Sequence, residues 1–260
     1  MTTKVEISRD ELLGKEFETS NCGKCFIIDY KGYHNVTVMF YEPFCIVRCH
    51  MSQLRSGALN NPMYPTYCGK GCIGVGKYNS KKDKLAYKAW TGVLTRTLNS
   101  NWKNVNPCYE NVGVCEEWLC FQNFAEWCYH QKSFNFKDEK GKNYHLDKDI
   151  LVKGNKTYSP ETCVFVPIRV NNLFVTNNKK RGDLPVGVHY NSKVGKLIAL
   201  ISDENGKRKH LGCFNSPDEA FLAYKYAKEK RIKEVAEKWK DLIDCRAYEA
   251  LMNYEVEITD

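Results

Sequence analysis

One polar stretch, residues 143–172, contains the side chains best suited to chemistry. It begins with NYHLDKD, in which His145, Asp147 and Asp149 stand at every second position. Because successive side chains of a strand point to opposite faces, this spacing places all three on one face of an extended segment. Carboxylate oxygens are ligands that Mg²⁺ prefers, and histidine is the most common general base in enzymes. The stretch therefore predicts a divalent-metal site held by Asp147 and Asp149, with His145 as the base.

The same stretch, together with CYENVGVCEEWLCFQNFAEW before it, resembles the HNH nuclease motif of bacteriophage homing-type endonucleases. The resemblance covers about residues 85–175 and implies a ββα-metal centre that hydrolyses double-stranded DNA with Mg²⁺, or with Mn²⁺ in its place. Its Asp–His pair, a metal ligand and the general base, aligns with Asp147 and Lys148. Its closing residue aligns with Asn171, beside Asn172, which the resemblance makes a catalytic and metal-binding candidate.

Two positions depart from this motif. Lys148 stands where the resemblance implies the general-base His, and Thr162 stands where it implies an Asn that orients that His. Because a lysine accepts a proton only when its pKa is strongly lowered, we expect Lys148 to contact phosphate and His145 to act as the base. The catalytic candidates are His145, Asp147, Lys148 and Asn171, and the candidate metal ligands are Asp147, Asp149 and Asn171.

Three functions stay open for this segment and its neighbours. The first is a metal-dependent endonuclease of the HNH homing type, acting on double-stranded DNA. The second is a catalytically inactive HNH-derived DNA-binding protein with a regulatory or anti-host role. The third, inhibition of a host protein through the N-terminal domain, has no particular residue in its favour.

Cationic side chains are concentrated in the C-terminal third of the chain. Residues 179–243 contain 15 Lys and Arg against 9 Asp and Glu. The runs VGVHY, KLIALIS and KRKHLGCF are typical of short strands, and Asn205-Gly206 is a strong hairpin signal between the second and the third. On such a sheet most cations are expected to contact phosphate, and one or two to reach bases. The DNA-binding candidates are His189, Lys196, Lys207, Arg208 and Lys209.

A long helix is predicted directly after these strands. Ser216 is a typical N-cap residue, and Pro217 suits the first helical position. Strand alternation places Arg208 and His210 on the face opposite to Lys207 and Lys209. The segments GVHYNSKVGKLIALI and LGCFNSPDEAFLAYKYAKEKRIKEVA resemble the ethylene-response-factor type (APETALA-like) DNA-binding domain carried by phage endonucleases. That resemblance implies a three-stranded sheet in the major groove and a helix packed behind it.

These candidate sites lie in a chain that we predict to be α+β and multi-domain. Short β-type runs such as NVTVMFY and CIVRCHM predict a small N-terminal β-barrel-like domain. Apolar residues at helical spacing in DKLAYKAWTGVLTRTLN and CEEWLCFQNFAEWCYHQ predict two helices. The predicted domains are residues 1–78 (β-rich), 79–176 (HNH-like nuclease), 183–245 (DNA-binding) and 246–260 (a C-terminal tail).

Composition limits the partners and the compartment. Lys and Arg exceed Asp and Glu by 39 to 31, and the resulting net charge of +8 suits a polyanionic partner without proving one. No apolar run reaches the roughly 20 residues that span a bilayer, and the N-terminus lacks the apolar core of a secretory signal. We therefore expect no membrane partner and a cytoplasmic location, which is the host cytoplasm if a phage encodes the chain. The oligomeric state is not indicated.

The 13 cysteines are expected to be reduced, as is usual in the cytoplasm, and to serve mostly as core residues. The pairs Cys22–Cys25 and Cys68–Cys72 could together supply four thiolates to zinc. Their spacing is a poor match to known zinc knuckles, so structural zinc is not expected.

Overall fold

The computed structural model describes residues 9–174, 183–203 and 206–260. It is a mixed α+β protein with several small sheets, which confirms the α+β part of the predicted fold class. By compactness the chain divides into two units, Met1–Trp127 and Cys128–Asp260. The predicted domain limits are a different division and stay predictions.

The first unit begins with a β-sheet and continues with helices. Its elements are α1 (Arg9–Leu12), β1 (Glu16–Thr19), β2 (Gly23–Tyr30), β3 (Val36–Phe40), β4 (Cys45–Cys49), α2 (Met51–Arg55), α3 (Lys84–Leu98), α4 (Ser100–Val105), β5 (Gly113–Val114) and α5 (Phe121–His130), with 3₁₀ turns at Pro107–Tyr109 and Glu116–Leu119.

The four strands β1 to β4 pair in sequence order as an antiparallel meander. Side chains alternate between the two faces, so that Ile27, Val38 and Phe40 are fully buried on the inner face. Within the described residues the sheet is open, because β1 and β4 each pair with one neighbour. The β-rich character predicted for this region is confirmed, but the barrel-like closure is not observed.

Helices α3 and α5 form where the apolar spacing predicted them. Trp90 on α3 and Phe121 on α5 are fully buried, with ring centroids 5.5 Å apart. The indole N–H of Trp90 donates a hydrogen bond of 2.8 Å to the carbonyl oxygen of Trp118. This bond satisfies the polar atom of a ring that is otherwise enclosed by apolar neighbours.

The second unit begins at Cys128, within the last turn of α5. Its further elements are β6 (His145–Asp147), β7 (Thr157–Tyr158), β8 (Val164–Val166), α6 (Ile168–Asn171), β9 (Val188–Asn191), β10 (Lys196–Ser202), β11 (Arg208–Phe214), α7 (Pro217–Trp239) and α8 (Cys245–Met252), with a 3₁₀ turn at Asn172–Phe174.

Strands β6 and β8 pair antiparallel, and α6 follows them one residue later. The helix is a single turn long, because it has only four residues and a 3₁₀ turn replaces it from Asn172.

The predicted C-terminal module is present as three antiparallel strands and one long helix. The strand order is β11-β10-β9, and α7 contacts all three. Helix α7 begins at Pro217, and its N-cap Ser216 accepts a hydrogen bond of 3.2 Å from the backbone N–H of Glu219, as the sequence predicted. Asn205 of the predicted hairpin signal lies outside the described residues, while Gly206 has the positive φ of 80° that such a turn requires.

In the described parts of the chain, no helix has both the length and the apolar character needed to cross a membrane. All 13 cysteines lie in those parts, and none of them is in a disulfide.

Candidate functional site

The carboxylate of Asp147 ends strand β6 by capping the loop that follows it. Its Oδ1 atom accepts hydrogen bonds of 2.8 Å from the backbone N–H groups of Asp149 and Ile150. The residue is only 9% exposed, and this burial raises the pKa of its carboxyl group above the ordinary value, although the two N–H groups act in the opposite direction. Asp147 thus supports the backbone of the loop.

Lys148 closes the same loop from the inside. Its ammonium group donates to both carboxylate oxygens of Asp149, at 2.6 and 2.8 Å, and to the carbonyl oxygen of Asn155 at 2.8 Å. The side-chain amide of Asn155 donates in return to the carbonyl oxygens of Lys148 and Thr157. An ammonium group has three N–H bonds, so these contacts use all the donors of a side chain that is 9% exposed.

The remaining predicted catalytic residues lie on neighbouring elements. His145 is exposed at the start of β6, and Asn171 is the last residue of α6, which contacts β6. Thr162, at the position of the motif's Asn, donates to the carbonyl oxygen of Thr157 at 2.8 Å and lies 3.1 Å from the hydroxyl of Ser159. Asp147, Lys148 and Asp149, which are consecutive in the sequence, therefore all take part in the hydrogen bonds that hold this loop.

The arrangement does not fit the predicted divalent-metal site. Asp147 is turned toward backbone N–H groups in the interior, and Asp149 already holds the Lys148 ammonium group, which a cation would have to displace. In the part of the chain that the structure describes, no three or more His, Cys, Asp or Glu residues are grouped so that they could hold a metal ion.

The β9–β11 sheet has one face under helix α7 and one face that the helix does not cover. Val188, Ala199 and Ile201 are buried on the covered side. The contact with α7 is close, because a Cβ atom placed on Gly187, just before β9, would lie 2.1 Å from the ring of Tyr224.

Residues that are opposite each other in adjacent antiparallel strands share a face, so the register identifies the uncovered side, called the open face below. Strict alternation in β11 is interrupted between His210 and Cys213, because the strand has one extra residue there, opposite the register shift near Ala199. The open face consists of Asn191 with Lys196, His189 with Ile198 and Cys213, Leu200 with His210, and Ser202 with Arg208.

The open face is basic. Strands β9, β10 and β11 contain no Asp or Glu, so its charged groups are the permanent cations Lys196 and Arg208 and the titratable His189 and His210. Burial and, to a smaller extent, the guanidinium of Arg208 lower the pKa of His189 below its ordinary value. The sulfur of Cys213 lies 3.7 Å from Nε2 of His210.

The register divides the predicted DNA-binding residues. His189, Lys196 and Arg208 lie on the open face, while Lys209 is opposite the buried Ile201 and so projects from the other side. Lys207 precedes β11, and its backbone N–H donates to the carboxylate of Asp203 in the turn.

His210 was not among the site candidates, although strand alternation had already paired it with Arg208. Its place beside Leu200 depends on the register shift, which no sequence pattern indicates.

Comparison of the chain with protein-family models, with curated proteins and with solved structures finds no match.

Proposed function

We propose that the protein binds double-stranded DNA through the open face of the β9–β11 sheet, and that residues 143–172 stabilise the fold without cutting DNA. The observation that supports this most directly is the composition of the open face, which has Lys196, Arg208 and two histidines but no carboxylate. Lys and Arg attract the phosphate backbone, and the absence of carboxylates removes the repulsion that would oppose it.

The dimensions of the sheet suit a DNA groove. The major groove of B-DNA is about 12 Å wide and admits a pair of strands, and β10 and β11 are both seven residues long. In the proposed complex Lys196 contacts phosphate, and the Arg208 guanidinium donates to phosphate or to the O6 and N7 atoms of guanine. Ile198 and Leu200, which lie between these cations on β10, are placed to contact thymine methyl groups.

In this proposal residues 143–172 have a structural role. A metal-dependent nuclease needs carboxylates that are available to the cation, whereas Asp147 is buried on backbone N–H groups and Asp149 is paired with Lys148. Where the motif has its general-base His, this chain therefore has the ammonium group of Lys148, which donates to three hydrogen-bond acceptors.

DNA cleavage is the second candidate function, because one observation favours it. The β6–β8 pair followed by α6 has the element order of a ββα centre, and His145 is exposed at the beginning of β6. The carboxylate of Asp149 is 46% exposed, so it is the acidic group that a metal ion would reach first if Lys148 moved away.

The binding proposal is tested by two charge-neutralising variants on adjacent residues of β11. Arg208→Gln removes a cation from the open face, and Lys209→Gln removes one from the opposite side. In fluorescence anisotropy with a short labelled duplex, we expect Arg208→Gln to weaken binding about tenfold and to lower the salt slope by about 0.9 between roughly 50 and 200 mM KCl. Lys209→Gln is the matched control and is expected to bind nearly as well as the wild type. Equal losses in both variants, or no binding by the wild type, would overturn the proposal.

The two functions are separated by incubating supercoiled plasmid with the protein in Mg²⁺ or Mn²⁺. The proposal expects salt-sensitive binding and no nicking in either metal. Nicking by the wild type that is lost in both His145→Ala and Asp149→Asn would instead establish cleavage at this segment. Asp149 and His145 are better targets than Asp147, since loss of Asp147 is expected to disrupt the loop itself.

A further inference from the structure

Two cysteines from distant parts of the first unit meet through their backbones. The N–H of Cys72 donates to the carbonyl oxygen of Leu119, and the N–H of Phe121 donates to the carbonyl oxygen of Cys72, both at 2.9 Å. Cys72 and Cys120 are thereby partners in a parallel bridge. Paired backbones lie about 4.8 Å apart, and a disulfide requires Cα atoms about 4.4 to 6.8 Å apart, so the backbone spacing already suits a disulfide.

The surroundings hold the two sulfur atoms in this position. Gln122, near the start of α5, bonds the segment that follows Cys72. Its side-chain amide donates to the carbonyl oxygens of Ile73 and Tyr78 and accepts a hydrogen bond from the backbone N–H of Tyr78. The sulfur of Cys120 lies over Gly74, where a Cβ atom would be only 2.4 Å from it. Both cysteines are partly exposed.

The two thiols have different chemical characters. Cys120 precedes the first residue of α5, so its sulfur is close to the backbone N–H groups of Gln122 and Asn123 and to the thiol of Cys72. These donors, at the positive end of a ten-residue helix, lower the pKa of Cys120 to about 6. Donation to Cys120, together with burial, raises the pKa of Cys72. Cys120 is therefore the more readily ionised thiol of the pair.

We propose that Cys72 and Cys120 are a peroxide-reactive pair that closes a reversible disulfide. In the first step the Cys120 thiolate attacks one oxygen of hydrogen peroxide, the O–O bond breaks, hydroxide leaves and Cys120 becomes a sulfenic acid. In the second step the Cys72 thiol loses its proton, its sulfur attacks the sulfur of Cys120, the S–O bond breaks and water leaves. The two cysteines together lose two electrons, which reduce peroxide to water, and a dithiol reductant reverses the change. This inference does not depend on the proposed DNA binding.

The experiment uses the full chain, reduced and then treated with hydrogen peroxide, with disulfides mapped by peptide mass spectrometry. We expect a Cys72–Cys120 disulfide in the wild type, a sulfenic acid trapped on Cys120 in Cys72→Ser, and no product at Cys72 in Cys120→Ser. Cys68→Ser, which removes an exposed thiol four residues before Cys72, is the control and should form the disulfide normally. A Cys72–Cys68 disulfide, or peroxide oxidation spread evenly over the exposed cysteines, would overturn the proposal.

Alkylation rates give a second measurement that does not depend on folding of the serine variants. In the wild-type protein near pH 6.5, Cys120 should react with iodoacetamide about tenfold faster than the exposed Cys68. A rate for Cys120 that equals that of Cys68 or falls below it would show that Cys120 is not an activated thiolate and would also overturn the proposal.

Discussion

At the scale of single residues, the most informative side chain is Asp147, because two explanations of it make different predictions. As a metal ligand it would be dispensable for folding, whereas as a cap it supports the loop through two backbone N–H groups. Lys148 and Asn155 close the same loop through their own hydrogen bonds. Substitution of Asp147 can therefore distinguish metal binding, which the sequence suggested, from support of the loop, which the hydrogen bonds indicate.

Replacing Asp147 is expected to destabilise the protein in proportion to the hydrogen bonds that are lost. Asp147→Ala leaves two backbone N–H groups without an acceptor and should lower the free energy of unfolding by about 2 kcal/mol. Asp147→Asn keeps one acceptor oxygen and should lower it by less. Urea unfolding at pH 7 measures both variants, and equal stability of Asp147→Ala and the wild type would show that the cap has no structural role.

The raised pKa of Asp147 also predicts a dependence on pH. The folded state holds the carboxyl proton more tightly than the unfolded state, whose pKa is about 3.8, so this group contributes less stability as pH rises through its folded pKa. Asp147→Asn cannot titrate. Its free energy of unfolding relative to the wild type should therefore increase between pH 4 and pH 7 in a urea titration series. A difference that is constant over this range would contradict the raised pKa.

His189 is expected to make DNA binding stronger at acidic pH. Because burial and Arg208 lower its pKa, the imidazole is neutral at pH 7 and gains its charge only at lower pH, where a nearby phosphate would favour the charged form. We expect the affinity for duplex DNA to rise by up to about tenfold between pH 7 and pH 5.5, and His189→Gln to lose part of this rise. An unchanged rise in His189→Gln would exclude His189 from the interface.

At the scale of elements, local patterns predicted the C-terminal module well. Short β-type runs separated by turn residues indicated β9 to β11, and Ser216 with Pro217 indicated the start of α7, because these signals depend on neighbouring residues alone. The loop after β6 was predicted less well. An extended segment through Asp149 was expected, but the strand ends at Asp147, whose carboxylate bonds the backbone of the next residues and so competes with strand pairing.

The pairing of strands depends on contacts that are distant in sequence, and it was not predictable in the same way. The register shift near Ala199 decides that Cys213 joins His210 on the open face, although the two residues are three positions apart. The strands of the β1–β4 meander could likewise be predicted from the sequence. Whether the sheet closes depends on strand twist and pairing, and within the described residues it stays open. Patterns therefore located the elements, and the structure decided which side chains share a face.

The packing of α7 on the sheet is tested by two glycines that both have a positive φ. A methyl group at Gly187 would meet the ring of Tyr224, whereas at Gly195 it would meet nothing within 4 Å. Gly195→Ala should therefore cost only the backbone term, about 1 kcal/mol, and Gly187→Ala about 3 kcal/mol or more, because the helix must move. Urea unfolding compares the two variants. Similar losses would mean that α7 does not pack closely at this end of the sheet.

At the scale of the molecule, the last residues join segments that the sequence assigned to separate domains. The ammonium of Lys153, in the loop after β6, bonds the carbonyl oxygen of Glu255 and the carboxylate of Asp260. Lys225 and Glu229 on α7 bond the carbonyl oxygen and the N–H of Val256, whose side chain is buried. Within the second unit, residues 253–260 therefore act as a structural connection between the loop after β6 and the sheet–helix module.

This connection predicts the effect of shortening the chain after Asn253. The truncated protein loses the burial of Val256 and leaves Lys225 and Glu229 without their backbone partners, which together should cost about 3 kcal/mol. Hydrogen exchange should accelerate in peptides from residues 148–157 and from Pro217–Trp239, since both lose contacts. Glu257→Gln is the control, because it removes only an exposed ion pair with Lys153 and should change stability by less than about 0.5 kcal/mol. If exchange accelerated in α7 but not in residues 148–157, the bonds of Lys153 to the last residues would not stabilise its loop, and the two segments would be stabilised independently.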